Sequence, residues 1–463
     1  MAHISASPPV FSVRHKDPQL VTPAKPVPYE EKLLLSDVDD QEALRYQISF
    51  IMFYGSNPIS APRGKDPVNI IRDALAEALV YYYPLAGRLR EGPDMKLIVD
   101  CTGEGALFVE ADADVTLAQL GDTIQPPCPY LDQLLYDVPG SSGLFGRPLL
   151  LIQVTRLLCG GFVFAIRWSH NVADALGMFK FLNTVAEMAR GATKPSQPPL
   201  WQREILNARD PPSASGVHHE FDEVNDANSK MVVDMDIGNN KTIHKSFFFG
   251  SKQLSSIRKH LPPHLQSTSA FVVLAAFLWK CRTIAMEVDP EEIVRVSHMV
   301  SASGKGGIEL PDGYYGNAFI FPVARSTARQ LSESPLDYAV RLVKDITSRT
   351  NEEYIRSAID LMVIKGKRQY RTVKDFVIAD TTRLPFAMID FGWGKGLYGG
   401  PAGVIQDVSF FARYKNVKGE NGTVVQISLP QQVMERFQKE LEKVMIGDSV
   451  NDQHGTKAIQ CKL

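Results

Sequence analysis

A stretch of low hydrophobic periodicity between about residues 191 and 230 divides this chain into two halves. The stretch is rich in serine, asparagine and aspartate, and its prolines are Pro195, Pro198, Pro199, Pro211 and Pro212. Such composition is typical of a linker between domains. A hydrophobic core stops growing at about 250–300 residues, so a chain of 463 residues is expected to split. We therefore predict an N-terminal domain over 1–190, a crossover linker over 191–230 and a C-terminal domain over 231–463.

Apolar spacing predicts both helices and strands in each half. In the first half, Asp66 and Pro67 begin a helix that ends by Pro84, and apolar runs over 149–157 and 162–168 form a hairpin. A helix follows over 174–188. In the second half, the predicted elements are helices over 268–282, from a cap at Ser334-Pro335 and over 433–444, and strands over 293–300, near Phe376 and over 424–427. The pattern on both sides of the linker is that of an α/β protein.

Charge and cysteine content exclude several classes of function. Fifty Lys and Arg against 52 Asp and Glu leave a formal net charge of −2, which favours a small-molecule substrate over nucleic acid or an anionic membrane. The five cysteines are widely spaced and include no C-x-x-C pair, so we expect no disulfide framework, no metal site and a reducing compartment. The N-terminus has no signal-peptide core, and the apolar run over 270–279 is shorter than the roughly 20 residues of a membrane span.

The last three residues are Cys461, Lys462 and Leu463. This tripeptide differs by one small residue from Ser-Lys-Leu, the peroxisomal import signal. We therefore expect a peroxisomal protein with the import receptor as a partner. The alternative is an arbitrary tail on a cytoplasmic enzyme.

Two histidines are followed by an aspartate four residues later. Imidazole titrates near neutral pH and can act as a general base toward a hydroxyl group. One pair, His218 and Asp222, lies in the linker, where a solvated loop histidine is expected. The other pair, His170 and Asp174, follows a buried-looking strand and precedes a helix, where ligand sites of α/β proteins often lie. A core histidine without catalytic function is the alternative for His170.

Several segments resemble the BAHD acyltransferases, plant enzymes that acylate alcohols or amines from coenzyme A thioesters. Residues 170–177, HNVADALG, resemble the family's H-x-x-x-D motif, and residues 390–395, DFGWGK, match its D-F-G-W-G motif. Similar stretches are LSDVD at 35–39, YPLAGR at 83–88 and GYYGN at 313–317. The resemblance implies the CoA-dependent acyltransferase fold, with two similar domains, each a mixed β-sheet with flanking helices. It also implies a monomer that uses acyl-CoA as a co-substrate and needs no cofactor.

The resemblance also implies a role for individual residues. His170 would be the catalytic base at the domain interface, and Asp174 would make an ion pair that holds its loop. The residues expected to support the motifs are Gly177, Asp390, Gly392, Trp393 and Gly394. Trp168, Asp380 and Thr381 are assigned to the acceptor pocket. Candidate coenzyme A contacts are Ser267, Ser269, Ser303 and Lys305.

One departure concerns the partner of Asp174. Many family members carry V-N-x-R where this chain has VSAS at 300–303, so the expected arginine is Ser303. Either another arginine replaces it or the loop is held differently.

Within the family, the chain is most similar to alcohol acyltransferases of the benzyl alcohol O-benzoyltransferase type. This similarity implies benzoyl-CoA as donor and benzyl alcohol as acceptor. A bulkier alkaloid or terpenoid alcohol, acylated from benzoyl-, tigloyl- or acetyl-CoA, is an alternative. A thioesterase and a non-catalytic binding protein are further alternatives, although the chain has no G-x-S-x-G motif of a serine hydrolase.

Overall fold

The computed structural model describes residues 9–29, 31–56, 66–92, 95–222, 242–304, 306–366, 375–405, 408–416 and 418–455. Within these residues the strands are β1 (Val13–His15), β2 (Gln19–Val21), β3 (Lys32–Leu34), β4 (Gln47–Tyr54), β5 (Arg88–Glu91), β6 (Leu97–Asp100), β7 (Ala106–Ala113), β8 (Leu150–Leu157), β9 (Phe162–Ser169), β10 (Thr242–Gly250), β11 (Ile293–His298), β12 (Val300–Ser301), β13 (Phe319–Ile320), β14 (Val323–Thr327), β15 (Asp375–Asp380), β16 (Tyr398–Pro401), β17 (Val408–Lys415) and β18 (Asn421–Pro430). The α-helices in the same residues are α1 (Pro67–Tyr81), α2 (Leu117–Leu120), α3 (Leu131–Leu134), α4 (Ala175–Ala189), α5 (Ser251–Arg258), α6 (Ala270–Met286), α7 (Ala328–Glu333), α8 (Leu336–Arg349), α9 (Glu352–Ile364) and α10 (Gln431–Gly455).

The first large sheet is built mainly from the N-terminal half. Its strand order is β1-β7-β8-β9-β4-β16, and β2 also pairs with β7. The predicted hairpin is confirmed as β8 and β9, which pair antiparallel, whereas β7 and β8 run parallel. Apolar faces of α1 and α4 contribute to the same hydrophobic core as the sheet. The end of β9 therefore lies at the edge of a packed α/β layer.

The second large sheet is built from the C-terminal half, in the order β10-β18-β17-β15-β11-β14. It is also mixed, because β15 pairs parallel with both β11 and β17 while the other pairs are antiparallel. Residues of α5, α6, α8 and α10 form its core. The predicted architecture of two mixed sheets, each with flanking helices, is confirmed.

Segments distant in sequence complete the first sheet. Strand β16 pairs with β4, and Phe391 stacks on Phe164 with ring centroids 5.0 Å apart. Trp393 meets Phe162 edge to face at 5.6 Å and is 4% exposed. The sequence predicts that the D-F-G-W-G segment belongs to the C-terminal domain. In the structure its aromatic residues, Phe391 and Trp393, lie instead in the core of the first sheet. They pack there on side chains of β9, and β16, which follows them, pairs with β4.

The linker is held against the C-terminal half, and the expectation of a solvated His218 is wrong. The His218 side chain is only 1% exposed, with Nδ1 3.1 Å from Glu220 Oε1 and Nε2 2.9 Å from Ser357 Oγ. Its ring centroid lies 4.2 Å from that of Tyr354 on α9. Polar loop residues are buried here because α9 supplies their hydrogen-bond partners.

Side chains cap several of the helices. Asp66 caps α1, Asp174 caps α4 and Ser269 caps α6, each by accepting a backbone N–H. The prediction of a cap at Ser334-Pro335 is only partly right. Pro335 precedes the first residue of α8 without a side-chain hydrogen bond, and Ser334 ends α7.

Candidate active site

His170 lies in a short turn between β9 and α4. Its backbone N–H donates to the carbonyl oxygen of Tyr46 at 2.9 Å, which ties the turn to the start of β4. Beneath the turn, the indole N–H of Trp168 donates to the carbonyl oxygen of Ala173 at 2.9 Å. Trp168 is 0% exposed and packs on Phe50, so its assignment to the acceptor pocket is wrong. It faces the core because side chains alternate along β9.

His170 is 8% exposed, and both halves of the chain contact its ring. The ring centroid of Tyr46 lies 5.2 Å away, and that of Phe319 lies 6.1 Å away in an edge-to-face arrangement. Burial lowers the pKa of His170 below its ordinary value of 6.5, because desolvation disfavours the imidazolium. The ring is therefore neutral at pH 7, the state that a general base requires.

Each ring nitrogen of His170 has a different environment. Nδ1 lies 3.1 Å from Oδ1 of Asn317, and Nε2 makes no hydrogen bond with any described residue. Nε2 is therefore the nitrogen that can accept a proton from a substrate. Asn317 follows the GYYG stretch of the C-terminal half, so His170 and its neighbour come from different halves of the chain.

A buried carboxylate, Asp39, organises the residues behind this pair. Its oxygens accept from Nη1 of Arg203 at 3.0 and 3.1 Å and from the side-chain amide of Asn317 at 2.7 Å. They also accept from the hydroxyl of Ser36 at 2.7 Å. Arg203 in turn donates to the carbonyl oxygen of Val172, inside the His170 turn. The carboxylate thus connects distant segments of the chain to the turn that carries His170.

Asp174 holds the turn from its other end, without an ion pair. One carboxylate oxygen accepts from the N–H of Gly177 at 2.8 Å, and the other accepts from the N–H of Ala318 at 3.2 Å. Among the described residues no arginine forms an ion pair with Asp174, so the expected ion pair is not found there. Ser303, at the position of the expected arginine, lies with its hydroxyl 3.1 Å from that of Ser301. Burial raises the pKa of Asp174 to about 6, because desolvation disfavours the charged carboxylate.

Gly177 is required by a close approach between α4 and the GYYGN stretch. A Cβ atom at this position would lie 2.0 Å from the carbonyl oxygen of Tyr315. The absence of a side chain therefore lets the segment with Asn317 pack against the N-terminal end of α4.

The D-F-G-W-G segment forms a turn held by its own aspartate. One oxygen of Asp390 accepts from the N–H groups of Gly392 and Gly394, both at 2.7 Å. Both glycines have positive φ angles, 108° and 84°, which residues with a Cβ rarely adopt. Arg190 of the C-cap of α4 donates to the carbonyl oxygen of Asp390. This geometry gives Asp390 a structural position, with no hydrogen bond to His170.

The other predicted contacts lie apart from the His170 ring. Asp380 accepts from Thr382, and Thr381 is buried with its hydroxyl donated to the carbonyl oxygen of Phe411 at 2.8 Å. Ser267 and Ser269 are exposed at the start of α6. In the described part of the chain, no hydrogen bond or ring contact joins Asp380, Thr381, Ser267, Ser269 or Ser303 to His170. Lys305 lies outside the described residues.

Sequence patterns do not identify three residues of the site as functional candidates. Asp39 and Asn317 lie in the LSDVD and GYYGN stretches, which the sequence singles out only as family resemblance. Arg203 lies in the proline-rich linker, where no periodicity or motif marks it. Its guanidinium stands 4.2 Å from the ring centroid of Trp201, and only the folded chain brings it to Asp39.

The described residues contain no candidate metal site and no candidate membrane span. Across these ranges, no group of three or more His, Cys, Asp and Glu side chains could hold a metal ion. No helix among them is long and apolar enough to cross a membrane.

Replacing Asp174 by asparagine tests how its carboxyl group is held, because asparagine also caps helices well. The pKa of Asp174 is about 6 in the native state against an ordinary 3.8, so its contribution to stability is complete below 3.8 and is lost as the pH rises through 6. The quantity to compare is the free energy of unfolding of the wild type minus that of Asp174→Asn. We expect this difference to be about 1 kcal/mol larger at pH 5 than at pH 7. Urea denaturation measures both values, and an equal difference at the two pH values would contradict the raised pKa.

Comparisons with known proteins confirm the resemblance and the fold. A family model described as the transferase family matches residues 11–444. A benzyl alcohol O-benzoyltransferase from Petunia hybrida is 54% identical over 448 residues, covering 96% of each chain. Alcohol acyltransferase 16 from Actinidia chinensis var. chinensis is 53% identical over 439 residues, 94% of each chain. The crystal structure of vinorine synthase, 21% identical, has the same fold, with a TM-score of 0.73 over 94% of this chain and 98% of that one. Since the family match spans almost the whole chain and relatives of full length are more than half identical to it, this protein belongs to the transferase family of BAHD acyltransferases.

Proposed function

We propose that this enzyme transfers the benzoyl group of benzoyl-CoA to the hydroxyl group of benzyl alcohol, with an ester and free coenzyme A as products. The observation that carries the proposal is the neutral, buried His170 ring between the two halves, whose Nε2 makes no hydrogen bond with the described residues. An alcohol is a poor nucleophile until a base takes its proton, and this nitrogen is placed to do so. Acyl-CoA is a co-substrate, so the reaction needs no cofactor.

The proposed reaction consists of an addition and an elimination. As the hydroxyl oxygen attacks the thioester carbonyl carbon, Nε2 of His170 takes the hydroxyl proton. The tetrahedral intermediate then collapses, the C–S bond breaks and the imidazolium returns the proton to the thiolate of coenzyme A. Asp174 keeps the turn of His170 in place through its two backbone hydrogen bonds and takes no part in the proton transfer.

The names of the most similar relatives support the choice of substrates. Those from Petunia hybrida and Nicotiana tabacum, 54% and 53% identical, are both named benzyl alcohol O-benzoyltransferase. Others at 50–53% identity are named alcohol acyltransferases. A bulkier alcohol with benzoyl-, tigloyl- or acetyl-CoA is the alternative, because one methylene group in an apolar pocket changes selectivity by only about 1–3 kcal/mol. Contacts of coenzyme A with Ser267, Ser269, Ser303 and Lys305, and a monomeric state, remain predictions.

Replacing His170 by alanine tests the proposal. Loss of the base should lower kcat/KM for benzyl benzoate formation by about 10²–10⁴-fold. His260→Ala is the matched control, because His260 is exposed and lies in the other half of the chain. Mass spectrometry of the ester and the rate of thiol release, with and without alcohol, are measured for both variants and the wild type.

Three results would contradict parts of the proposal. Ester formation at the wild-type rate by a folded His170→Ala variant would remove the role of the base. Release of coenzyme A by the wild type at one rate with or without alcohol would indicate a thioesterase. A tenfold higher kcat/KM for a larger alcohol than for benzyl alcohol would replace the proposed acceptor.

We also propose that Cys461, Lys462 and Leu463, which lie outside the described residues, direct the enzyme to peroxisomes through the import receptor. The similarity of this tripeptide to Ser-Lys-Leu supports the proposal. A fluorescent protein fused to the N-terminus leaves the tripeptide free. We expect punctate peroxisomal fluorescence in plant cells from the full chain and diffuse fluorescence after removal of residues 461–463. Diffuse fluorescence from both fusions would indicate a cytoplasmic enzyme.

A further inference from the structure

The side-chain amide of Asn317 contacts both the base and the buried carboxylate behind it. Its nitrogen Nδ2 donates to Asp39 Oδ1 at 2.7 Å and to the carbonyl oxygen of His170 at 2.8 Å. An amide NH₂ group has two hydrogens, so these two bonds use both of them. The remaining atom, Oδ1, lies 3.1 Å from Nδ1 of His170 and can only accept.

The amide of Asn317 has only one favourable orientation in this site. A rotation by 180° would place its oxygen against two acceptors, the carboxylate of Asp39 and the carbonyl oxygen of His170. The same rotation would direct an N–H group at Nδ1 of the ring. Asp39 is itself fixed by Arg203 and Ser36, and its Oδ1 also accepts from the backbone N–H of Asn317 at 2.9 Å. Asn317 is 0% exposed, so water does not compete for these bonds.

The backbone of His170 itself also forms a hydrogen bond with the ring. From this geometry we infer that Asn317 is a positioning residue that, together with that backbone, holds His170 as the tautomer with hydrogen on Nδ1, which leaves the lone pair of Nε2 for the proton of the alcohol. Asp39 acts one bond further away, by fixing the direction of the amide. The inference rests on the proposed function of His170 as base. It assigns the positioning of the His170 ring to the neutral amide of Asn317 and not to the carboxylate of Asp174.

Asp174 cannot select the tautomer, because its two oxygens are occupied elsewhere. They accept from the N–H groups of Gly177 and Ala318, and no hydrogen bond joins this carboxylate to the His170 ring in the described residues. Because the acceptor at Nδ1 is a neutral amide, the His170 ring is a weaker base than it would be with a carboxylate at the same position. The charge of Asp39 still lies close enough to stabilise the imidazolium that forms during the reaction.

The chain offers a closely matched control for Asn317. Asn171 is also 0% exposed, is adjacent to His170 and donates to the backbone carbonyl oxygen of Asp39 at 2.6 Å. Its side chain makes no hydrogen bond with the His170 ring. Asn171→Ala and Asn317→Ala therefore each remove a buried amide that is bonded to Asp39, and only the second removes a partner of the ring.

The test is ¹⁵N NMR of histidine-labelled enzyme, in which His170→Gln identifies the His170 signals. In the wild type we expect a protonated Nδ1 and an unprotonated Nε2. Asn317→Ala should shift the ring toward the Nε2–H tautomer, with kcat lowered about 10–100-fold and KM for the alcohol changed less than threefold. Asn171→Ala should keep the wild-type tautomer, and thermal unfolding shows that both variants are folded at the assay temperature.

Two results would overturn the inference. One is a wild-type His170 with its hydrogen on Nε2, an observation that needs no Asn317 variant. The other is an Asn317→Ala enzyme that keeps both the Nδ1–H tautomer and the wild-type kcat. Failure of the proposed function would be seen in a different experiment. Ester formation at the wild-type rate by His170→Ala would show that His170 is not the base, whichever tautomer its ring adopts.

Discussion

The active-site turn depends on the buried carboxylate of Asp39. Moving an ion out of water costs several kcal/mol, and the cost is offset only when charge and hydrogen bonds around it are complete. Here Arg203 supplies the opposite charge, and Ser36 and Asn317 fill the remaining acceptor positions. These partners come from the segment after β3, from the linker and from the C-terminal half. Because donors from both halves meet at this one carboxylate, Asp39 stabilises the arrangement that also brings Asn317 to His170.

This arrangement explains how the chain tolerates a serine at position 303. The arginine expected from the family pattern would balance the charge of Asp174, whereas here that carboxyl group caps α4 and accepts from Ala318. The positive end of the helix dipole favours a negative charge at this position. Burial raises the pKa of Asp174 to about 6, so the group is partly protonated in mildly acid solution. The turn is therefore held mainly by backbone hydrogen bonds and by Arg203, which donates to Val172.

Single helices and the hairpin were predictable from the sequence because residues close together in the chain determine where they begin and end. Asp66 and Pro67 mark the start of α1, and the apolar runs on either side of a glycine turn mark the β8–β9 hairpin. Contacts between distant segments leave no such signal. The pairing of β16 with β4 and the burial of His218 depend on sheet edges and acceptors that exist only in the folded chain. Trp168 was assigned to the wrong face because proximity to His170 in sequence does not fix the direction of a side chain in a strand.

The dependence of kcat/KM on pH for the wild-type enzyme tests the central claim most directly, that a neutral, desolvated His170 is the base. Burial lowers the pKa of His170 below 6.5, so its protonation should reduce kcat/KM only in acid solution. We predict an acid limb with an apparent pKa below 6.5 and a constant value from there to about pH 8. An acid limb centred above pH 6.5 would contradict the account.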